Sequence, residues 1–318
     1  MENCILLDWV SITSKIHSPQ NFMEMLGLQN CSWELLDRGA NGYHSRLYYD
    51  HISIHFNGRE DMGVWCELSG QGCRVFETLG HGDYNVLFDE LFSNPDEMNL
   101  TRLDIAYDDH TGILDFPQLV RDTMELDEEY KPACYVSKFR KREVTWSHED
   151  YHMPAMTVDH GRKGSDTMIR IYDKAMERGY TDGRHWIRTE LQLRDDRALE
   201  FARNMQRKEI GGLFRGVLRN YLRYVDDPGG DSNMRRWPMK KYWADLLDGA
   251  GRIQLYQKPG KEYNMINLEN FVIGQAGNAA AAYIEIVGEA AYMEALRKRG
   301  KQMPLKYRQL VDQYGKTC

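Results

Sequence analysis

The sequence predicts an α+β protein: two related lobes of mainly antiparallel sheet covered by helices, with a helical C-terminal region. Three observations support this. Short strand-like runs alternate with amphipathic helical runs. The two halves of the chain repeat one order, strand, helix, strands, helix. Residues 239–318 then read as mostly helical, apart from the short run GRIQLYQ at 251–257.

Taken in order, Leu6–Ile12 is strand-like. Residues 19–28 read as a helix opened by Pro19, with Phe22, Met25 and Leu26 on one face. Leu47–Phe56 and Val64–Leu68 read as strands, and one amphipathic helical stretch runs from Gly70-Gln71-Gly72 to Phe92. In the second half Leu103–Tyr107 is a strand, Phe116–Glu125 a helix, Met168–Tyr172 and Trp186–Leu193 strands, and the chain is helical from Ala198. LDWVSI parallels LDIAYD, and VWCELSG parallels WIRTELQL, as a weak internal duplication would give. The expected divisions are a lobe at 1–98, a catalytic lobe at 99–225, a linker or long loop at 226–238 rich in turn formers, and the region 239–318.

The chain has 318 residues, 42% of them hydrophobic, enough for a sizeable core. No basic segment precedes an apolar one at the start, and no window offers 18 uncharged apolar residues. The six cysteines lack metal spacing and read as free thiols in a reducing cytoplasm, with no membrane partner. Net charge is −7, yet the cations cluster. Lys138, Arg140, Lys141 and Arg142 surround Phe139. Arg215, Arg219 and Arg223 recur every four residues, as one stripe on a helix would. Arg297, Lys298, Arg299 and Lys301 follow near the end. Clusters of this kind suit phosphate binding.

Three strands carry an apolar face and a charged one. The charged faces hold Arg102, Asp104, Ala106 and Asp108; Arg170, Tyr172 and Lys174; and Trp186, Arg188, Glu190 and Gln192. If these strands are neighbours, they form a polar platform. Asp104 and Glu190, with Asp108 as a weaker third, are hard oxygen ligands for Mg²⁺ or Mn²⁺. Arg170, Lys174 and Arg188 suit a phosphate. A free tyrosine, with a pKa of about 10, is almost wholly protonated at neutral pH. Cations and a metal beside Tyr172 would favour the phenolate and make it a nucleophile.

The runs TRLDIAYDD, GSDTMIRIYDK and WIRTELQLR, with LDWVSIT and ELSGQGCRVFE upstream, resemble the Rep_trans family of rolling-circle replication initiators and relaxases over roughly residues 5–225. The resemblance implies a metal-dependent tyrosine DNA nickase that starts rolling-circle replication or transfer of a mobile element. Tyr172 would keep the 5′-phosphate of the cut strand and free a 3′-hydroxyl. The implied partner is origin DNA, single-stranded or extruded as a hairpin at the nick site; a host helicase and a second copy of the chain are further candidates. Lys138, Arg140, Lys141, Arg142, Arg215, Arg219 and Arg223 would grip flanking DNA. Asp8 and Glu67 would be the first lobe's counterparts of Asp104 and Glu190, with no matching tyrosine, so that lobe is expected to position DNA without cutting it. His51 and His55 share a strand face, and read as a surface hairpin pair before metal ligands. Two other readings stay open: a non-catalytic origin-binding copy-control protein, and a nuclease that uses water. No Walker, dinucleotide or Gly-x-Ser-x-Gly pattern occurs.

Overall fold

The computed structural model describes residues 2–124, 134–147, 155–249, 272–273, 277–301 and 311. The chain divides into two compact units, residues 1–256 and 257–318. In the second unit the described helices are α9 (Gly277–Val287) and α10 (Glu289–Gly300). The run at 251–257 lies outside the described residues.

The first unit is built on a ten-stranded antiparallel sheet. Its first half holds β1 (Cys4–Ser14), β2 (Glu34–Leu36), β3 (Ser45–Tyr49), β4 (Ile52–Phe56) and β5 (Val64–Leu68). The second half holds β6 (Met98–Asp109), β8 (Arg142–Ser147), β9 (Ala155–His160), β10 (Thr167–Asp173) and β11 (Ile187–Arg194). Strands β7 (Tyr135–Ser137) and β12 (Leu222–Tyr224) pair separately. The order is β2-β3-β4-β5-β1-β6-β11-β10-β9-β8. Each half therefore runs outward from its own first strand in the same order, and β1 and β6 join the halves back to back. The strand order of the first half thus repeats in the second, within one continuous sheet rather than two separate lobes.

Alternation along these strands sends Val10, Ile12, Leu103, Ile105, Ile169, Ile171, Leu191 and Leu193 to one face, where all are buried. Helices cover that face: α1 (Pro19–Met25), α2 (Gly70–Leu79), α3 (Tyr84–Ser93), α4 (Phe116–Thr123), α6 (Asp196–Met205), α7 (Ile210–Tyr221) and α8 (Lys241–Leu247). They contribute Phe22, Phe76, Phe88, Leu119, Phe201, Phe214 and Trp243 to a single core. Burying each such side chain is worth about 1.5–3 kcal/mol. The short α5 (Lys174–Glu177) follows β10 directly.

Several local expectations change. Leu47–Phe56 is two strands, because Asp50 and His51 take positive φ (36° and 67°) and close a two-residue hairpin. His51 therefore lies in the turn, off the strand face that carries His55. The helical stretch 70–92 breaks at Gly80-His81-Gly82, where His81 N–H donates to the Leu26 carbonyl and Asp83 caps α3. Arg223 is not on a helix with Arg215 and Arg219. The chain turns extended at Leu222 (φ −143°, ψ 138°), and Arg223 sits in β12 opposite Val136. The stretch 226–238 is a loop whose ends meet in a Val225–Met239 bridge. It belongs to the first unit, as does α8 beyond it.

Candidate active site

The helix-free face carries the charged side chains, as alternation requires. They line a cleft of about 880 Å³ with Tyr172, Lys174, Arg170, Glu190, Asp104 and Arg102 from the second half. The first half supplies Asp8, Trp9, Asp50, His51, Gly70 and Gln71 to the same cleft. It does so because β1 lies beside β6. A register shift between Leu7 and Trp9 leaves Asp8 as the extra residue of a bulge.

Tyr172 is 7% exposed. Its hydroxyl donates to Glu190 Oε1 at 2.6 Å, and Lys174 Nζ donates to the tyrosine oxygen at 3.3 Å. Lys174 is the first residue of α5 and also pairs with Glu177 at 2.7 Å. Burial, then the charge and hydrogen bond of Glu190, push the Tyr172 pKa upward; Arg188 opposes them weakly. The sequence led us to expect the reverse. Of the two cations that were to favour the phenolate, Arg170 is engaged elsewhere, its Nε donating to Asp159 Oδ1 at 3.0 Å, and Lys174 shares its charge between the tyrosine oxygen and Glu177. As it stands, Tyr172 is a protonated phenol held by a carboxylate able to take its proton.

Burial raises the Glu190 carboxyl; the Tyr172 hydrogen bond opposes this, while the charges of Asp8 and Asp104 reinforce it. Burial likewise raises Asp104, against Arg102, whose Nη2 lies 2.6 Å from Oδ2, and Gln192, at 3.3 Å. Asp8, Asp104 and Glu190 thus form an acidic group sensed by each other's charges. Asp108 is engaged differently. It accepts both Nε and Nη2 of Arg188, at 2.6 and 2.7 Å, and Arg188 Nη1 also reaches Asp8 Oδ2 at 3.0 Å. Arg188 and Asp108 are both buried. This triad ties β1, β6 and β11 together.

The duplication shows what the first half has become. Glu67 pairs with Ser53 as Glu190 pairs with Arg170. His55 therefore occupies the place of Tyr172, and Trp65 that of Arg188. The two rings stack with centroids 4.3 Å apart, and Tyr43 closes over them. Burial, followed by Arg46, lowers His55 to about 4. It is a neutral packing residue, not the surface histidine that the sequence suggested.

Two of the basic clusters adjoin, and none of their cations lines the cleft. Lys138 Nζ donates to Asn220 Oδ1 at 2.6 Å and lies over Tyr221, so the 138–142 cluster sits beside the end of α7. Lys138, Arg140, Lys141 and Arg142 are exposed. Lys141 pairs with Glu143, and Arg142 covers the Tyr135 ring. Arg215 and Arg219 are half-buried on α7, and Arg223 Nη2 donates to the Arg235 carbonyl at 2.9 Å.

Sequence reasoning placed Tyr172, Asp104, Glu190, Arg170 and Lys174 together. It left out Trp9, Asp159, Gly70 and Gln71, and it took Asp8 for a counterpart outside the site. Asp8 was marked by LDW matching LDI, but its arrival at the site depends on which strands adjoin.

The family model described as "Replication initiation factor" matches residues 98–294, and that described as "Rolling Circle replication initiation protein N-terminal domain" matches 4–94. The chain belongs to the Rep_trans family of replication initiation factors. It is 27% identical over 273 residues to NicK of Bacillus subtilis (strain 168), named as a candidate DNA relaxase, covering 81% of this chain and 74% of NicK. The structure of a rolling circle replication initiator protein from Geobacillus stearothermophilus is similar, with a TM-score of 0.68 and 28% identity. That match covers 81% of this chain and all of the other.

Proposed function

We propose that this protein nicks and rejoins one strand of origin DNA to start rolling-circle replication or transfer of a mobile element. The carrying observation is Tyr172 in the cleft, its hydroxyl 2.6 Å from Glu190 Oε1. The tyrosine oxygen attacks the scissile phosphorus, and Glu190 takes the phenolic proton. The P–O3′ bond breaks, the leaving 3′-oxygen takes a proton from water to become the 3′-hydroxyl, and the 5′-phosphate stays on Tyr172. Rejoining is the reverse: the 3′-hydroxyl attacks and the proton returns. Arg170, at the mouth of the cleft, and Lys174 bind the phosphate. Arg188 acts through Asp8 and Asp108 by holding β1 against β11.

A divalent cation, Mg²⁺ or Mn²⁺, fits the donor chemistry. Asp8, Asp104 and Glu190 are hard oxygen donors, and burial, reinforced by one another's charges, raises the carboxyls of Asp104 and Glu190. Among the described residues no three His, Cys, Asp or Glu side chains converge on one point. Asp104 instead holds Arg102, and Glu190 holds Tyr172. Held by these carboxylates, a cation would supply positive charge to polarise the phosphate and offset the charge that opposes the phenolate. Residues 99–225 supply the tyrosine, its base and the phosphate-binding cations, residues 1–98 add Asp8 and position the strand, and the cations of 138–142 and 215–223 hold flanking DNA.

The test is Tyr172→Phe with an origin oligonucleotide and Mn²⁺. Nicking disappears while binding stays within about threefold, since about 1.4 kcal/mol is a tenfold change in affinity and only one hydroxyl is lost. Undiminished nicking would transfer the reaction to water.

A further inference from the structure

Trp9 and Arg102 have no part in the chemistry above, yet they line the same cleft. Trp9 lies opposite Asp104 and Ser11 opposite Arg102, so the arginine sits diagonally from the indole. It leans back over it, with Cζ 4.0 Å from the ring centroid. Its Nε and Nη2 hold the Asp104 carboxylate at 3.0 and 2.6 Å. The guanidinium is therefore fixed on one face by Trp9 and along one edge by Asp104. The side chain keeps 23% of its exposure, on the cleft. Trp9 Nε1 is buried without a hydrogen-bond partner, so stacking and packing hold the ring.

We propose that Trp9 and Arg102 form a nucleobase subsite, in which a base of single-stranded DNA flanking the scissile phosphate stacks on the open face of Arg102. This rests on the cleft acting on DNA. A guanidinium is planar and weakly hydrated, and it stacks on aromatic faces. Asp104 neutralises this one, which makes it a poorer phosphate anchor than Arg170 and leaves its plane as its useful feature. The layer is preorganised, so a base loses little by ordering it. Arg102 on β6 pairs with Arg194 of β11, and Tyr172 on β10 with Arg188, so their backbones are separated by two strand spacings and by six residues along the strands, roughly 20 Å. The stacked base is accordingly a few nucleotides from the cut, not the base at it. Stacking accepts every base, so the subsite sets the strand's path rather than its sequence.

The experiment scans an abasic nucleotide through a single-stranded oligonucleotide spanning the nick site. Nicking kinetics are read with the active protein, and Kd by fluorescence anisotropy on the Tyr172→Phe background. At one position the abasic site raises KM and Kd about tenfold while kcat changes little. That penalty vanishes in Trp9→Leu and in Arg102→Lys, which keeps the charge but not the plane. It survives in Trp9→Phe, which keeps a ring beneath the guanidinium. No sensitive position, or a penalty untouched by Trp9→Leu and Arg102→Lys, overturns the subsite. A Kd penalty without any nicking would keep the subsite and remove the nicking reading.

Discussion

Arg188→Leu removes the cation shared by buried Asp108 and half-buried Asp8. The guanidinium makes two bonds to Asp108, at 2.6 and 2.7 Å, and one to Asp8, at 3.0 Å. Arg188 is 5% exposed and Asp108 3%. Losing one partner of a buried pair leaves an uncompensated charge and costs about 3–5 kcal/mol. At about 2–4 °C per kcal/mol for a chain of this size, Tm falls by roughly 6–20 °C. Calorimetry of the full chain measures it. Adding Asp8→Asn and Asp108→Asn removes the stranded charges and recovers most of the loss. A drop below about 2 °C, or no recovery, would show that solvent already screens the triad and that it does not hold β1 to β11.

Three further outcomes follow from the same contacts. Millimolar Mn²⁺ stabilises the wild type, by about 2.7 kcal/mol at a hundredfold excess over Kd, and so raises its Tm, but does not raise that of Glu190→Gln; equal shifts would take Glu190 out of the cation site. His55 is lowered to about 4 from an unfolded value of about 6.5, so its stability is present above 6.5 and lost as pH falls toward 4. Denaturant titrations at several pH values should give His55→Gln a stability slope lower by about 1.4 kcal/mol per pH unit in that window, and an unchanged slope would mean that His55 titrates freely. A Cβ on Gly70 would lie 3.0 Å from Asp8 Oδ1; Gly70→Ala therefore slows nicking several-fold with little change in Tm, because small displacements in a site are costly, and a full rate would place Asp8 outside the reaction.

The strands that carry the site were legible because alternation is local. Arg102, Asp104 and Asp108, Tyr172 and Arg170, and Glu190 and Arg188 each share one face with no tertiary information needed. The duplication was legible from LDW and LDI, and from CEL and TEL. The identity of each side chain's partner was not. Arg188 reads as a phosphate ligand in sequence, yet Asp8 and Asp108 neutralise it because three distant strands adjoin. Tyr172 reads as activated by its neighbours, yet burial and Glu190 outweigh them. Arg223 kept helical spacing, but pairing with β7 drew it into a strand. Asp8 entered the site through a bulge and a neighbouring strand, neither of which a periodicity can reveal.

The central claim is a covalent bond between Tyr172 and a DNA 5′-phosphate. The direct measurement incubates the protein with a single-stranded oligonucleotide carrying its origin's nick site and Mn²⁺, digests the product, and locates the adduct by mass spectrometry. A nucleotide phosphate on the peptide containing Tyr172, absent from Tyr172→Phe, is the predicted result. Cleaved DNA with no peptide adduct, or an adduct on another residue, would contradict it.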